Sequence, residues 1–403
     1  MTRTVAVVGA SLAGLSAGRA LREQGFDGRV LLIGDEVHAP YDRPPLSKGF
    51  LDGGSARDDL DLAREDDAAL GFEWLLGQRA VALDPRGQSL RLADGREIRA
   101  DGVVLATGAR ARRLPGPARP GTGGLSGVHA LRTVDDAVAL RSDLRPGRRL
   151  VVIGAGFIGA EVASTARGLG LDVTVVEALP VPLAGPLGPE MGRVCAALHA
   201  DHGARLLTGT GVAGLDGDGL DGDGHVTAVR LLDGRSLPAD VVLVGIGAQP
   251  NVEWLAGSGL DLRGGIATDA RGAASIPGVV AVGDCAAPWS ETAGRHVRFE
   301  HWTGALEQPS AAVAALLGAD AAAPPRVPYF WSDQYGVRIQ FAGTRGPDDK
   351  LRIVDGDVAA RSFLAVYERD DVPVAILGMN QSRLFTRWRR QLRTAAALRT
   401  TGR

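Results

Sequence analysis

Val5-Ala6-Val7-Val8-Gly9-Ala10-Ser11-Leu12-Ala13-Gly14, near the start of a 403-residue chain, is enough to place a strand, a turn and the beginning of a helix. Its four consecutive apolar residues suit a parallel strand covered on both faces. The turn Gly9–Gly14 opens a helix over residues 15–21, and a second apolar run at 30–33 ends on Gly34-Asp35. Strand, glycine turn, helix, strand and acid, in that order, make the dinucleotide-binding fingerprint in its required setting. The helix N-terminus offers free N–H groups and a partial positive charge to a pyrophosphate. Asp35 is placed to accept hydrogen bonds from ribose hydroxyls. Ser11 stands where the pattern has its second glycine, and serine is small enough to admit a phosphate.

Composition narrows what such a chain can be. Its length allows two or three domains with sizeable cores. A net charge of −2 gives no bulk attraction to nucleic acid or to a membrane surface. No apolar run approaches the roughly 20 residues of a membrane-spanning helix. The N-terminus enters a strand without a signal-peptide pattern, so the expected location is cytoplasmic. Cys195 and Cys285 are the only cysteines, without C-x-x-C or metal-ligand spacing, and they read as buried thiols. Lys48 and Lys350 are the only lysines among many arginines, which makes Lys48 worth asking about.

Tyr41-Asp42-Arg43-Pro44-Pro45-Leu46-Ser47-Lys48 is held rigid by its two prolines, with a helix starting near Ser47. Residues 74–81 and 88–98 alternate as strands, and Ala93-Asp94-Gly95-Arg96 reads as a hairpin turn. The buried strand at 102–109 ends on Ala106-Thr107-Gly108, small residues that let the backbone lie close to a ligand. A Pro/Gly-rich crossing at 114–127 leads to a helix over 133–144.

A second copy of the opening pattern then begins. Gly154-Ala155-Gly156-Phe157-Ile158-Gly159 is a full G-x-G-x-x-G after an apolar strand, followed by a helix and a strand at 173–176 that ends on Glu177. The duplication continues in smaller pieces: 231–235 parallels 92–96, and 239–248, which contains Gly247, parallels 100–109. Val279-Val280-Ala281-Val282-Gly283-Asp284 is one more buried strand, ending in glycine and a carboxylate. Residues 309–323 form an alanine-rich helix. Beyond Pro324, strands near 337–341, 351–354, 363–367 and 374–377 and a helix from about Gln381 make a third, α+β domain. One chain with two nucleotide sites needs a reason to hold both, and the commonest is hydride relay between a nicotinamide and a flavin.

Gly9–Gly14, Tyr41–Lys48, Ala106-Thr107-Gly108, Gly154–Gly159, Ala281-Val282-Gly283-Asp284, Glu300-His301-Trp302 and Phe330-Trp331-Ser332-Asp333-Gln334-Tyr335 together resemble the FAD-dependent NADH:ferredoxin reductases of bacterial P450 and Rieske oxygenase systems. The resemblance covers essentially the whole chain. It implies an α/β fold with two Rossmann-like, glutathione-reductase-like nucleotide-binding domains and a C-terminal α+β domain. The FAD domain would be discontinuous over 1–114 and 243–322, the NAD domain would span 115–242, and the last domain, over 323–403, would cover the flavin and dock the ferredoxin.

By the same resemblance, Gly9, Ser11, Leu12, Ala13, Gly14, Asp35 and Arg43 bind FAD, and Lys48 lies beside its isoalloxazine. Val81 and Arg132 touch its adenosine and phosphate side. Ala106, Thr107 and Gly108 line its approach, Asp284 binds the ribityl chain and Trp302 meets the pyrimidine edge. Gly154, Gly156, Phe157, Ile158, Gly159 and Gly247 take NAD, and Glu177 holds its adenosine ribose. The residues after Glu177 are Ala178-Leu179-Pro180. A 2′-phosphate would meet a carboxylate with no arginine beside it, so NADH is expected over NADPH. Glu161 falls near the nicotinamide and Lys48, and an ammonium there would stabilise the negative charge of reduced flavin. Trp331 belongs to the face over the flavin.

Disulfide reductases of this double fold carry cysteines in the segment matching Tyr41–Lys48, and this chain carries none. Electrons are therefore expected to leave singly, to a [2Fe-2S] ferredoxin with an acidic surface that feeds a P450 or Rieske oxygenase. Residues 382–403 hold seven arginines and no acid; they are either a solvated helix or the surface that steers this partner, with Arg295 and Arg298 beside it. Trp302 and Trp331 also fit as packed aromatics, and His301 reads as a satisfied structural histidine. Rubredoxin reductase, NADH oxidase and a redox sensor of the apoptosis-inducing-factor type are the alternatives.

Overall fold

The computed structural model describes residues 3–86, 88–114, 125–219, 224–291, 293–319 and 327–395, with backbone alone at 396–401. Most of the Pro/Gly-rich crossing expected at 114–127 lies outside the described residues, as do both edges of the expected boundary at 322/323. The helices are α1 (Leu12–Glu23), α2 (Gly49–Asp52), α3 (Val134–Asp143), α4 (Phe157–Gly168), α5 (Ala184–Asp201), α6 (Trp302–Leu316) and α7 (Ser382–Thr401).

Two parallel five-stranded sheets carry the two fingerprints. In the first, Thr4–Val8 is central, with Arg29–Ile33 and then Phe72–Leu75 on one side and Gly102–Leu105 and then Val279–Ala281 on the other. In the second, Arg149–Ile153 is central between Asp172–Glu177 and Val241–Val244, with Arg205–Thr208 and Val128–His129 at the edges. After Thr4 the opening strand is apolar and buried, with both its faces covered. Val5 and Val7 pack with Ala17 and Leu21 of α1, while Ala6 and Val8 pack with Leu83, Leu90 and Leu105 on the other face. Each such valine or leucine contributes about 1.5–3 kcal/mol by leaving water.

Each unit also bears a small antiparallel sheet, Ala80–Asp84 with Ser89–Leu92 and Glu97–Arg99 in the first, and Val212–Gly217 with Val226–Leu231 and Ser236–Pro238 in the second. The run expected as one strand at 74–81 is split between two sheets. Gly77 at φ +67° turns the chain there, which sends residues 72–75 to the parallel sheet and 80–84 to the antiparallel one.

Ala109–Ala111 and Ala248–Pro250 pair antiparallel and carry the chain out of the first unit and back. The expected boundary at 242/243 falls inside Val241–Val244, whose residues register against Leu150–Ile153 of the second sheet. Backbone pairing keeps that strand whole, so we place the crossing at the paired linkers instead. The C-terminal domain is an antiparallel sheet in the order Tyr329–Gln334, Val337–Gly343, Val372–Met379, Ser362–Arg369, Lys350–Asp357. It lies with one face on α5, where Leu187, Met191, Cys195 and Leu198 meet Phe341, Phe363 and Tyr367, and with the other under α7 through Phe385 and Leu392.

Candidate active site

Both fingerprints close by backbone approach. A Cβ on Gly9 would sit 2.0 Å from the Ala106 oxygen, and one on Gly14 would sit 1.8 Å from the Gly9 oxygen. In the second copy the corresponding distances are 2.3 Å from Gly154 to the Gly245 oxygen and 2.1 Å from Gly159 to the Gly154 oxygen. The middle position is under no such constraint. A Cβ on Gly156 would meet nothing within 4 Å, and Ser11 has an extended backbone at φ −118° and ψ −162°, open to any residue. Serine at position 11 therefore costs the turn nothing.

The helices that follow are built to receive an anion. Neither α1 nor α4 has a side-chain cap or an acid in its first turn. In contrast, Thr133 caps α3, accepting from the Asp136 N–H at 3.1 Å. First-turn N–H groups left open at the positive end of a helix suit a phosphate, so the residues present fit two dinucleotides. A cavity of about 350 Å³ at the second fingerprint is lined by Gly154, Gly156, Glu177, Thr210, Ile246 and Gly247, among others, none of them cationic. The Glu177 carboxylate accepts the backbone N–H of Ala155 at 2.8 Å and of Leu179 at 2.9 Å, which fixes it at the cavity edge. Phe157 and Ile158 begin α4, and the Phe157 ring lies 4.6 Å from that of Phe330.

In the first unit, exposed Asp35 pairs with Arg79 at 2.9 Å, a contact worth about 0–1 kcal/mol in water. Val81 follows in the strand Ala80–Asp84, and Leu12 and Ala13 are buried at the start of α1. Arg43 donates to Glu36 at 2.6 Å and to the Arg132 carbonyl at 2.6 Å. Arg132 in turn pairs with Asp284 at 2.6 Å, so Arg43, Arg132 and Asp284 form one connected set. The indole N–H of Trp302 donates to Asp42 at 2.7 Å. Burial leads in raising the Asp42 carboxyl, opposed by that hydrogen bond and by Lys48. Gly108 adopts φ +65° beside Arg132, and Thr107 is tied to Asn251 by hydrogen bonds of 2.7 and 2.9 Å.

Lys48 and Glu161 meet where the three bodies meet. Lys48 Nζ donates to Glu161 Oε2 at 2.7 Å and to the Pro44 carbonyl at 2.9 Å. Glu161, on α4, is 3% exposed; a buried carboxylate persists only with such partners. Ser47 supplies another hydroxyl at 2.5 Å, and Ser332 of the C-terminal domain donates to Oε1 at 2.7 Å.

Over this joint, Trp302 and Trp331 meet edge to face at 5.9 Å. Trp331 also stacks on Tyr329 at 6.0 Å and lies under Arg338. Arg389 of α7 sits 4.0 Å over Tyr329, while Arg383, Arg387, Arg390 and Arg393 are exposed. At i, i+4 and i+7, the first three form one stripe. Arg298, expected beside this surface, binds Glu300 and the Gly264 carbonyl. His301 differs from expectation. Its Nδ1 is buried with no partner among the described residues, and burial pushes the ring down to about 4.

Asp42, Arg79, Asn251, Ser47 and Ser332 were not singled out from sequence as site residues. Each acts through a contact distant in the chain or from a segment whose pattern is common. Cys195 and Cys285 are both buried as expected, and burial holds the Cys195 thiol up near 12.

Residues 3–309 match the pyridine nucleotide-disulphide oxidoreductase family, and residues 329–401 match the reductase C-terminal family. The ferredoxin–NAD(+) reductase subunit of the benzene 1,2-dioxygenase system of Pseudomonas putida is 40% identical over 87% of this chain and 83% of its own length. The corresponding biphenyl dioxygenase component of Paraburkholderia xenovorans (strain LB400) is 38% identical over 95% of each chain. Among solved structures, the covalent putidaredoxin reductase–putidaredoxin complex superposes with a TM-score of 0.90 at 35% identity, covering 98% of this chain and 93% of the matched chain.

Proposed function

The chain belongs to the pyridine nucleotide-disulphide oxidoreductase family, and on that premise we propose that it is an NADH-dependent, FAD-containing ferredoxin reductase feeding a P450 or Rieske-type oxygenase. FAD, when bound, would supply a carrier that accepts hydride from NADH and gives up electrons one at a time. The observation that carries the proposal is the Tyr41–Lys48 segment. It delivers Lys48 to Glu161 at 2.7 Å yet holds no cysteine, and both thiols of the chain are buried elsewhere. No dithiol stands ready to take the electrons onward.

The chain's own residues divide the work. The open first turns of α1 and α4 would take the FAD and NADH pyrophosphates respectively. Arg132 and Asp284 would bind along the flavin's phosphate and ribityl side, and Glu177 would accept from the ribose of NADH. Lys48 would stabilise negative charge at the flavin, with Glu161 orienting its ammonium. Trp302 and Trp331 would lie between the flavin and the outer face, where the exposed arginines of α7 would steer an acidic [2Fe-2S] ferredoxin. No helix among the described residues is long and apolar enough to cross a membrane, which accords with a cytoplasmic place beside the NADH pool.

A steady-state comparison tests this reading. The FAD-loaded protein should reduce a [2Fe-2S] ferredoxin with NADH at least about tenfold more efficiently than with NADPH, a difference of ~1.4 kcal/mol. A preference for NADPH would overturn the assignment of Glu177, and failure to reduce any [2Fe-2S] ferredoxin would overturn the function.

A further inference from the structure

The strand Tyr329–Gln334 divides its side chains between two faces, as the alternation of a strand requires. Tyr329 and Trp331 point to the α7 side, where they pack with Phe385 and Leu392. Phe330 and Ser332 point the other way, Phe330 toward Phe157 and Ser332 toward Glu161. Ser332 is fully buried. Its hydroxyl accepts from Gln334 Nε2 at 3.0 Å and donates to Glu161 Oε1 at 2.7 Å. A hydroxyl that already accepts an amide proton has its own proton directed outward, here onto the carboxylate.

Glu161 therefore receives donors from two foreign bodies at once. Lys48 and Ser47 of the first unit hold Oε2, while Ser332 holds Oε1, with only a long 3.4 Å approach from the Asp333 N–H beside it. On its own helix, Glu161 makes no side-chain hydrogen bond recorded in the described residues. Its neighbour one turn on, Ser164, is turned to the same domain and accepts the Tyr335 N–H at 2.7 Å. The carboxylate's orientation is thus set from outside α4.

We infer that Ser332 is a positioning residue for Glu161, so that the C-terminal domain, through one hydroxyl backed by Gln334, aims the carboxylate that orients the Lys48 ammonium. The inference rests on the proposed role of the Lys48–Glu161 pair beside the flavin. Losing Ser332 leaves Oε1 without a short hydrogen bond and lets the carboxylate swing toward Ser47, carrying Lys48 with it. Binding of the dinucleotide at Gly154–Gly159 and Glu177 involves none of these atoms and should not change.

The test uses the full-length FAD-loaded protein with Ser332→Ala and Ser332→Cys, each alone and combined with Glu161→Gln. The cysteine variant keeps the buried volume nearly constant while removing a strong donor, so it reports even where alanine leaves a disruptive void. Two quantities are read: the single-turnover rate of flavin reduction by NADH, and the Kd of the oxidised protein for NAD+. A hydrogen bond to an ionised group is worth roughly 10–100-fold, so each Ser332 variant is expected to slow reduction by about tenfold or more. The Kd should stay within about twofold, and in the Glu161→Gln background the Ser332 variants should add no further slowing. Wild-type reduction rates in both Ser332 variants while Glu161→Gln is slow would overturn the positioning role alone. Equal slowing in both backgrounds would do the same, because a merely structural effect does not depend on Glu161. A wild-type rate in Glu161→Gln itself would overturn the reading of the Lys48–Glu161 pair, and the inference with it.

Discussion

Lys48 Nζ lies 2.7 Å from Glu161 Oε2, a contact that runs from the first nucleotide-binding unit to the second through residues 113 apart in sequence. The carboxylate is almost wholly buried and the ammonium partly exposed, with side-chain exposures of 4% and 22%. Removing the cation leaves a buried carboxylate with only hydroxyl and amide donors, a costlier change than neutralising the acid. Lys48→Ala is expected to slow flavin reduction by NADH about tenfold or more, or to weaken FAD retention, and to lower Tm more than Glu161→Gln does. Stopped-flow reduction and the flavin-to-protein absorbance ratio measure both; unchanged values would remove Lys48 from the mechanism.

Ser11 and Gly14 should respond oppositely to substitution. Ser11→Gly changes a position whose backbone is already extended, so FAD content should not fall. Gly14→Ala puts a Cβ 1.8 Å from the Gly9 carbonyl oxygen, a clash of backbone with side chain that no rotamer relieves. Purified Gly14→Ala is expected to lack FAD or to fail to fold, as read by flavin absorbance and circular dichroism.

Among the described residues, Glu177 sits on a cavity lined by no cation. Glu177→Ala should raise the KM for NADH by about tenfold or more, in line with ~1.5–3 kcal/mol for hydrogen bonds to a charged group, and should narrow the NADH-over-NADPH ratio of kcat/KM. A variant that keeps the wild-type ratio would place coenzyme choice elsewhere.

Charge on α7 should matter only to a macromolecular acceptor. Arg383, Arg387 and Arg390 form an exposed stripe opposite buried Phe385 and Leu392. Reversing all three to glutamate is expected to lower kcat/KM for ferredoxin by about tenfold or more and to flatten its salt dependence, while reduction of ferricyanide by NADH stays within about twofold. Equal losses with both acceptors would make the stripe structural.

Acid should destabilise the protein through its buried histidines. Burial pushes His199 and His301 each down to about 4 from an ordinary value near 6.5. Between those values the unfolded chain binds more protons than the folded one, so stability falls as pH drops from about 6.5 to about 4, by on the order of 3 kcal/mol per histidine at most. His301→Phe should make the denaturation midpoint less pH-dependent across that window. An unchanged slope would show that the ring is not held neutral.

The fingerprints were legible because each is a local pattern: five residues of spacing bring Gly14 against the Gly9 carbonyl and Gly159 against the Gly154 carbonyl. The duplication likewise foretold two equivalent sheets. Other features left no local trace. Helix α5 was not marked in sequence because Pro186, Gly188 and Pro189 interrupt it, and Gly188 has non-helical φ and ψ. Helix α6 starts at Trp302, well before the alanine-rich run that revealed it. Asp42 with Trp302, Thr107 with Asn251 and Ser332 with Glu161 are pairs 260, 144 and 171 residues apart. Side chains of such ordinary types acquire a role only when the fold brings distant segments together.

The most direct test of the account counts electrons. Under anaerobic conditions, the FAD-loaded protein is supplied with limiting NADH and excess oxidised [2Fe-2S] ferredoxin, and the reduced iron–sulfur centres are counted. The expected result is two ferredoxins reduced per NADH, at an undiminished rate when Cys195 and Cys285 are both replaced by alanine in a variant that retains its FAD. Absence of ferredoxin reduction, or a rate that collapses with the thiols while FAD is retained, would contradict it.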